Sequence, residues 1–150
     1  MTLTKLAGAA SIAVATALPA AAELVHKTSP HSVEITIDRL EAAVTGAGAT
    51  VFARVDHAKG AASVGADLRP TQMLMFGNPK LGTPAMLADQ AAGLDLPLRV
   101  VAYADGEGVV HVVYHAPSSL AATHAIAKDA EVLKKMTGAL DKLTNAAIAE

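Results

Sequence analysis

A run of four apolar residues between two chain-breaking residues constrains the fold of this chain more than any other feature. Met73 to Phe76 lies between Pro70 and Gly77. The run is too short for a helix and is interrupted at both ends, so it predicts a short strand buried on both faces. The polar turn Gly77-Asn-Pro-Lys80 follows it directly. The sequence therefore brings polar groups to the end of a buried strand.

The first 22 residues have the pattern of a secretory signal peptide. They hold a single charge, Lys5, then an uncharged run from Leu6 to Leu18, and then small residues up to Ala22. This pattern predicts cleavage after Ala22 and a mature chain, residues 23–150, that is periplasmic or secreted. The uncharged run is shorter than the ~20 apolar residues of a membrane-spanning helix, so no membrane anchor is expected after cleavage.

The mature chain has the size and charge of one ordinary domain. Removing Lys5 from the 12 basic residues leaves 11 against 14 acidic residues, a net charge of −3. A domain of this length buries enough apolar surface to fold without disulfides, and the chain has no cysteine. The weakly acidic charge and the scarcity of aromatic rings argue against nucleic acid as a partner.

Four further stretches are rich in β-branched residues or alternate in polarity, which predicts strands. They are Leu24 to Thr28, Thr50 to Asp56, Leu98 to Ala104 and Val109 to Tyr114. In the second of them, Val51, Ala53 and Val55 are expected on one face. The last two are joined by Asp105-Gly-Glu-Gly108, which is typical of a hairpin, so they should pair antiparallel.

Two pairs of a hydroxyl residue and a proline predict helix starts. Ser29-Pro30 and Thr83-Pro84 each combine a capping side chain with a residue that is tolerated at the first helical position. The first helix has an apolar stripe formed by Val33, Ile37, Leu40 and Val44. It should end at Gly46, and the second helix should reach about Ala91. The alanine-rich segment His57–Gly65 between them predicts a short helix or turn.

The C-terminal segment carries a second apolar stripe at helical spacing. It is formed by Leu133, Met136, Leu140, Leu143 and Ala147. The stripe predicts a helix over about residues 127–148, and it spans only two heptads. Packing on the sheet is therefore favoured, and the seam of a homodimer is the alternative. Helices mixed with hairpin strands predict one α+β domain over residues 23–150.

Three segments resemble motifs of a bacterial and archaeal family. They are Arg69 to Pro84 around the polar turn, Asp56-His57-Ala58 before it, and Tyr114-His115-Ala116-Pro117 after it. On these segments the chain resembles the domain of unknown function 302, over about Val25 to Ile126. The resemblance implies a curved, mainly antiparallel sheet with helices on one side, similar to the saddle of the TATA-box-binding protein. It implies nothing about DNA.

The chain departs from this family pattern in two places. Many relatives have Cys-Asn-Pro where this chain has Gly77-Asn78-Pro79, so thiol chemistry cannot operate here. The segment that often carries Asp-Pro in the family has His115-Ala116-Pro117 here, so the carboxylate that the resemblance implies is absent.

Polar and aromatic residues at the predicted strand ends form the candidate ligand site. They are Asp56, His57, Gln72, Asn78, Lys80, Tyr114 and His115. Their convergence predicts a pocket that binds a small ligand without catalysing a reaction; the sequence names neither the ligand nor a cofactor. Asn78 would offer a donor and an acceptor, and Lys80 a positive charge. A turn in which Asn78 bonds its own backbone two residues on accounts for the same residues without a ligand.

The histidines support two alternative hypotheses. His57, next to Asp56, would act as the acid–base group of a small-substrate enzyme, although adjacent strand residues point to opposite faces. His57 and His115 would share a metal or a haem if their strand ends met. His111 and His115 lie four apart on a strand, ~13 Å from each other, and cannot hold one ion together. We expect hydrogen-bonded histidines at strand ends and no metal site.

Overall fold

A five-stranded antiparallel sheet forms the centre of the protein in the computed structural model, which describes residues 23–150. The predicted signal peptide, residues 1–22, lies outside the described residues. The strands are β1 (Leu24–Ser29), β2 (Thr50–Asp56), β3 (Thr71–Gly77), β4 (Leu98–Ala104) and β5 (Val110–His115). Their order across the sheet is β1-β5-β4-β3-β2, and all neighbours are antiparallel. The predicted hairpin pairing of β4 and β5 is confirmed.

Helices cover one face of this sheet, which confirms the predicted α+β class. They are α1 (Val33–Gly46), α2 (His57–Ala62), α3 (Pro79–Ala88), α4 (Leu120–Thr123) and α5 (Glu131–Ile148). Two 3₁₀ helices, Gln90–Leu94 and Pro117–Ser119, lie between them along the chain. Both predicted apolar stripes, on α1 and α5, are buried in the core of the chain itself. No helix of the described residues is long and apolar enough to cross a membrane.

The two faces of β3 differ in burial. Leu74 and Phe76 belong to the core that the sheet forms with α1 and α5. Met73 and Met75 alternate with them and are only half-buried, because the helices pack on one side of the sheet. The prediction that this strand is buried on both faces was therefore wrong.

The first helix begins three residues later than the serine–proline pair predicted. Ser32 caps α1, and its hydroxyl accepts a hydrogen bond from the third backbone N–H that follows. Ser29 instead ends β1, where its hydroxyl lies 2.7 Å from that of Thr36 in the core. The side chain that predicted a cap at Ser29 is thus engaged in tertiary packing.

The helix predicted to start at Pro84 begins at Pro79 instead. Asn78 precedes it in extended conformation, and its Oδ1 accepts a hydrogen bond from the backbone N–H of Lys80 at 2.9 Å. Because this cap fixes the first turn, the chain is already helical at Pro84, which lies inside α3. Proline at this position removes one helical hydrogen bond, and its ring crowds the carbonyl of Lys80 four residues earlier. The helix ends at Ala88 rather than near Ala91.

A bulge interrupts β2 and overturns the predicted facing of its residues. The register shifts between Val51, which pairs with Phe76, and Ala53, which pairs with Met75. Val51 therefore packs against the core, whereas Ala53 lies on the opposite face. The prediction that they share a face was wrong. The bulge also leaves Phe52 at its centre 57% exposed.

The C-terminal helix starts later than predicted, at Glu131 rather than near residue 127. The preceding segment is tied to another part of the chain, because the backbone N–H of Ala125 donates to Asp89 Oδ2 at 2.9 Å. Such a contact fixes a non-helical path before α5.

Candidate ligand site at one end of the sheet

The seven predicted site residues lie at two opposite ends of the sheet. Asp56, His57 and Gln72 lie at one end, and Asn78, Lys80, Tyr114 and His115 at the other. The reason is strand direction: β3 and β5 run parallel to each other and antiparallel to β2. A seven-residue strand separates the ends by about 20 Å. The seven residues therefore do not line one pocket, contrary to the prediction.

Hydrogen bonds within the fold occupy the polar groups at the first end. Asp56 caps α2, where its Oδ1 accepts from the backbone N–H of Lys59 at 2.9 Å. Gln72 Oε1 accepts from two nitrogens of Arg54, at 2.8 and 3.0 Å. His57 is exposed at the start of α2. The Asp56 carboxylate thus serves the helix and does not orient the imidazole of His57.

His57 and His115 do not meet, because they lie at opposite ends of the sheet. They cannot share a metal or a haem in this arrangement. Within residues 23–150, no three or more histidine, cysteine, aspartate or glutamate side chains form a group that could hold a metal ion.

The four residues at the second end have different surroundings. Asn78 forms the predicted backbone-bonded turn and also lines a cavity. His115 is exposed and lines a second cavity. Tyr114 is 6% exposed and belongs to the core. Lys80 is exposed and lies outside the linings of these two cavities. Of these four residues, only Asn78 and His115 line the cavities.

The larger cavity, of about 310 Å³, opens between the sheet, α3 and the 3₁₀ helix Gln90–Leu94. Its wall is mainly apolar and includes Phe52, Leu81, Met86, Leu96, Pro97, Leu98 and Met136. The remaining wall is formed by Gly77, Asn78, Pro79, Gly82, Thr83 and Gly93. Such a composition suits the apolar part of a small ligand.

Two sequence features create the space for this cavity. The bulge in β2 brings Phe52 beside Gly77, where an added Cβ would lie 3.4 Å from Pro97 Cβ and 3.5 Å from Phe52 Cε2. In α3, an added Cβ at Gly82 would lie 3.8 Å from the Met86 side chain. Glycines thus stand where side chains would narrow the opening.

A smaller cavity of about 120 Å³ adjoins the first, since Leu98 lines both. Its lining includes Arg99, His115, Asp95 and Ser119. Val101 of β4 pairs with Val113 of β5. Two residues nearer to this end of the antiparallel pair, Arg99 therefore lies opposite His115, on the same face as that pair. A guanidinium and an imidazole therefore stand together beside an apolar cavity.

A buried histidine holds the segment that leads from α3 to β4, which contributes Gly93, Leu96 and Pro97 to the larger cavity and Asp95 to the smaller one. The side chain of His124 is 6% exposed, with Nε2 2.6 Å from Asp95 Oδ2 and Nδ1 3.7 Å from Asp89 Oδ2. Asp89 also accepts from the backbone N–H groups of Ala125 and Ala91, each at 2.9 Å. These two bonds hold the pKa of Asp89 below its usual value. The segment between the two aspartates is thereby tied to the chain before α5.

Sequence reasoning missed Phe52, Arg99, His124 and Pro97, which build much of this site. Phe52 and Arg99 fit the alternation of ordinary strands, and nothing in that pattern marks a bulge or a cross-strand neighbour. The aspartate partners of His124 lie far away in sequence, 29 and 35 positions before it. Only information on contacts between distant parts of the sequence could have identified these aspartates as partners of His124.

The fold and the site define a class of protein: an α+β domain with an antiparallel sheet covered on one side by helices and two adjoining cavities at one end of the strands. Residues 25–143 match the family described as domain of unknown function DUF302, and the chain belongs to that family. The resemblance carried by the motifs around the polar turn is thus confirmed.

A solved structure has the same fold. The crystal structure of an uncharacterized conserved protein DUF302 from Bacillus stearothermophilus aligns with a TM-score of 0.66. The alignment covers 83% of this chain and 94% of that one, at 20% sequence identity. At this identity the likeness supports the fold alone.

Curated relatives carry the name of an ion channel. The chain is 42% identical over 112 residues to fluoride-specific ion channel FluC 1 of Brucella suis biovar 1, covering 75% of this chain and 44% of that protein. The match to FluC 2 of Brucella melitensis biotype 1 has the same identity and length and covers 42% of that protein. The chain thus spans less than half the length of these relatives.

Proposed function

We propose that the protein binds a small, largely apolar ligand in the larger cavity and catalyses no reaction. The observation that carries this proposal is an open apolar cavity of about 310 Å³ at one end of the sheet. Its volume lies at the lower end of the range of small-molecule sites, roughly 300–1,000 Å³. The histidine–aspartate contacts behind its wall support a pocket that is formed before the ligand arrives.

Exposed apolar side chains on the elements around the opening support the same proposal. Phe52 and Met86, which line the cavity, are 57% and 36% exposed. Leu87 at the end of α3 and Leu94 in the neighbouring 3₁₀ helix are almost fully exposed. Large apolar groups gathered on one part of a surface are a feature of binding sites, since a ligand removes them from water.

A neutral apolar dye, N-phenyl-1-naphthylamine, tests the proposal directly. We expect saturable fluorescence enhancement with one dye per chain, weakened at least about tenfold in Gly82→Met, whose side chain would occupy the cavity. Gly60→Met is the matched control, because Gly60 lies in α2 at the other end of the sheet with nothing within 4 Å of an added Cβ.

Circular dichroism first establishes that both variants are folded. Enhancement that does not saturate, or that is the same in Gly82→Met and Gly60→Met, would show that the dye binds elsewhere.

The N-terminal segment supports a proposal about the compartment in which the protein acts. We propose that the protein is exported to the periplasm, because residues 1–22 have the composition of a signal peptide. N-terminal sequencing of exported material should then begin at Glu23. An intact Met1 or Thr2 in soluble periplasmic protein would contradict export with cleavage.

The similarity to proteins named as fluoride channels favours a second candidate, the binding of a small inorganic anion at Arg99 and His115. Sodium fluoride should then raise the melting temperature more than sodium chloride at equal ionic strength. Arg99→Gln should abolish the difference between the two salts. Equal effects of both salts on the unaltered protein would exclude fluoride as the ligand.

A further inference from the structure

The adjoining cavities assign a chemical class to the ligand. We propose that it is an amphipathic anion, with its apolar chain in the larger cavity and a carboxylate head in the smaller one, at Arg99 and His115. This inference rests on the proposed function and adds the head group to it.

The two cavities adjoin at one residue, and the proposal requires that one molecule reach both past it. Leu98, at the start of β4, lines the two of them and is the residue before Arg99. Leu98 packs against the core, whereas Arg99, the next residue along the strand, lines the smaller cavity together with Asp95 and His115. A ligand that follows the strand end past Leu98 therefore moves from an apolar wall to a cationic group.

Arg99 has the donors that a carboxylate requires. The nearest carboxylate oxygen, Asp95 Oδ1, is 3.8 Å from Nη2, beyond hydrogen-bond distance. The other oxygen of Asp95 lies 2.6 Å from His124 Nε2. Asp95 therefore already has a close partner, and the planar fork of Arg99 is available for bidentate contact with an anion.

His115 provides a second polar contact from the neighbouring strand. It stands opposite Arg99 on the same face and is exposed at the end of β5. An imidazole N–H adjacent to a guanidinium suits a head group with two acceptor oxygens. A cationic head would meet the positive charge of Arg99, and a neutral chain would leave the smaller cavity unused.

A pair of ligands that differ only in the head group tests the inference. Decanoate and decanol are titrated against bound N-phenyl-1-naphthylamine, with the full mature chain. We expect decanoate to displace the dye at a concentration about tenfold or more below that of decanol, because a charge-assisted contact corresponds to roughly a ten- to hundredfold change in affinity. Arg99→Gln should remove this preference and leave decanol unaffected.

Arg69→Gln is the control for the loss of a positive charge, since Arg69 is exposed at the opposite end of the sheet. It should retain the preference for decanoate. One outcome overturns the head-group assignment: decanoate and decanol displace the dye equally well, and Arg99→Gln changes neither of them. If Gly82→Met still weakens the binding of both ligands, the cavity proposal stands. Failure of the dye and both ligands to bind overturns the proposed function itself.

Discussion

Truncating each of the two phenylalanines should separate the stability of the fold from the integrity of the site. Phe76 lies in the core of the sheet and is 2% exposed, whereas Phe52 lies in the bulge and is 57% exposed. Their positions are close, because Phe76 pairs with Val51, the neighbour of Phe52. The same substitution is thus made twice in one region, once in the core and once in the cavity wall.

The expected costs follow from burial. A phenylalanine buries about 200 Å² when fully covered, and each Å² contributes about 25 cal/mol. Phe76→Ala should lower the free energy of unfolding by about 3–5 kcal/mol, since it also leaves a cavity. Phe52 hides less than half of its surface, and area estimates are upper limits. We expect Phe52→Ala to cost only about 1 kcal/mol, together with loss of dye binding.

Urea unfolding followed by far-UV circular dichroism measures both costs, and unchanged slopes would show that the two transitions are comparable. Dye titration of Phe52→Ala provides the second measurement. Equal costs for the two substitutions would refute the assignment of Phe52 to the bulge. A small cost with undiminished dye binding would leave the bulge in place and remove Phe52 from the ligand site.

Three further substitutions test single contacts. Asn78→Ala removes the cap of α3 and should lower the free energy of unfolding by about 0.5–2 kcal/mol. Lys80 is exposed, so Lys80→Ala should change the free energy of unfolding by no more than about 0.5 kcal/mol. Thermal melts in which Lys80→Ala is the less stable variant would contradict the capping role of Asn78. Asp89 has a folded pKa below its unfolded value, so its stabilisation is present above the unfolded value and is lost as pH falls through the folded one. Asp89→Asn should therefore flatten the loss of stability as the pH falls through and below the ordinary pKa of an aspartate, about 3.9, and an identical slope in urea midpoints would count against this linkage.

The parts of the fold that the sequence predicts well are those set by local periodicity. The stripes of α1 and α5 and the bounds of β2 and β4 depend on residues within a few positions of each other. The helix starts failed where a competing cap or a tertiary contact decided the outcome. Asn78 caps α3 before Thr83 can, and Ser29 bonds to Thr36 instead of a helix end.

The candidate site was predicted less well, for a physical reason. The sequence shows where the strands end. It does not show which ends lie together in the sheet, because strand direction depends on pairings between distant segments. Asp56 and Asn78 were therefore assigned to one pocket although a whole strand length separates them. The pairing of Arg99 with His115 depends on the same long-range register.

Glycines in helices give the sharpest remaining test of whether the cavity serves a ligand. A helical glycine costs about 1 kcal/mol relative to alanine, and both Gly82 in α3 and Gly138 in α5 could hold a Cβ without a close contact. Gly138→Ala and Gly82→Ala should therefore each stabilise the protein by up to about 1 kcal/mol. Only Gly82→Ala should weaken dye and decanoate binding, because its new methyl group would lie 3.8 Å from Met86 in the cavity wall.

If replacing Gly82 by alanine stabilises the protein and leaves ligand binding unchanged, Gly82 has no role in the site. Melting temperatures and dye affinities of the two variants, measured on the same preparations, distinguish the cases. If Gly82→Ala is stabilised and binds as well as Gly138→Ala, the space beside Met86 is an ordinary packing gap and the ligand lies elsewhere. Stabilisation together with weaker binding would show that the glycine keeps the cavity open at the expense of the helix.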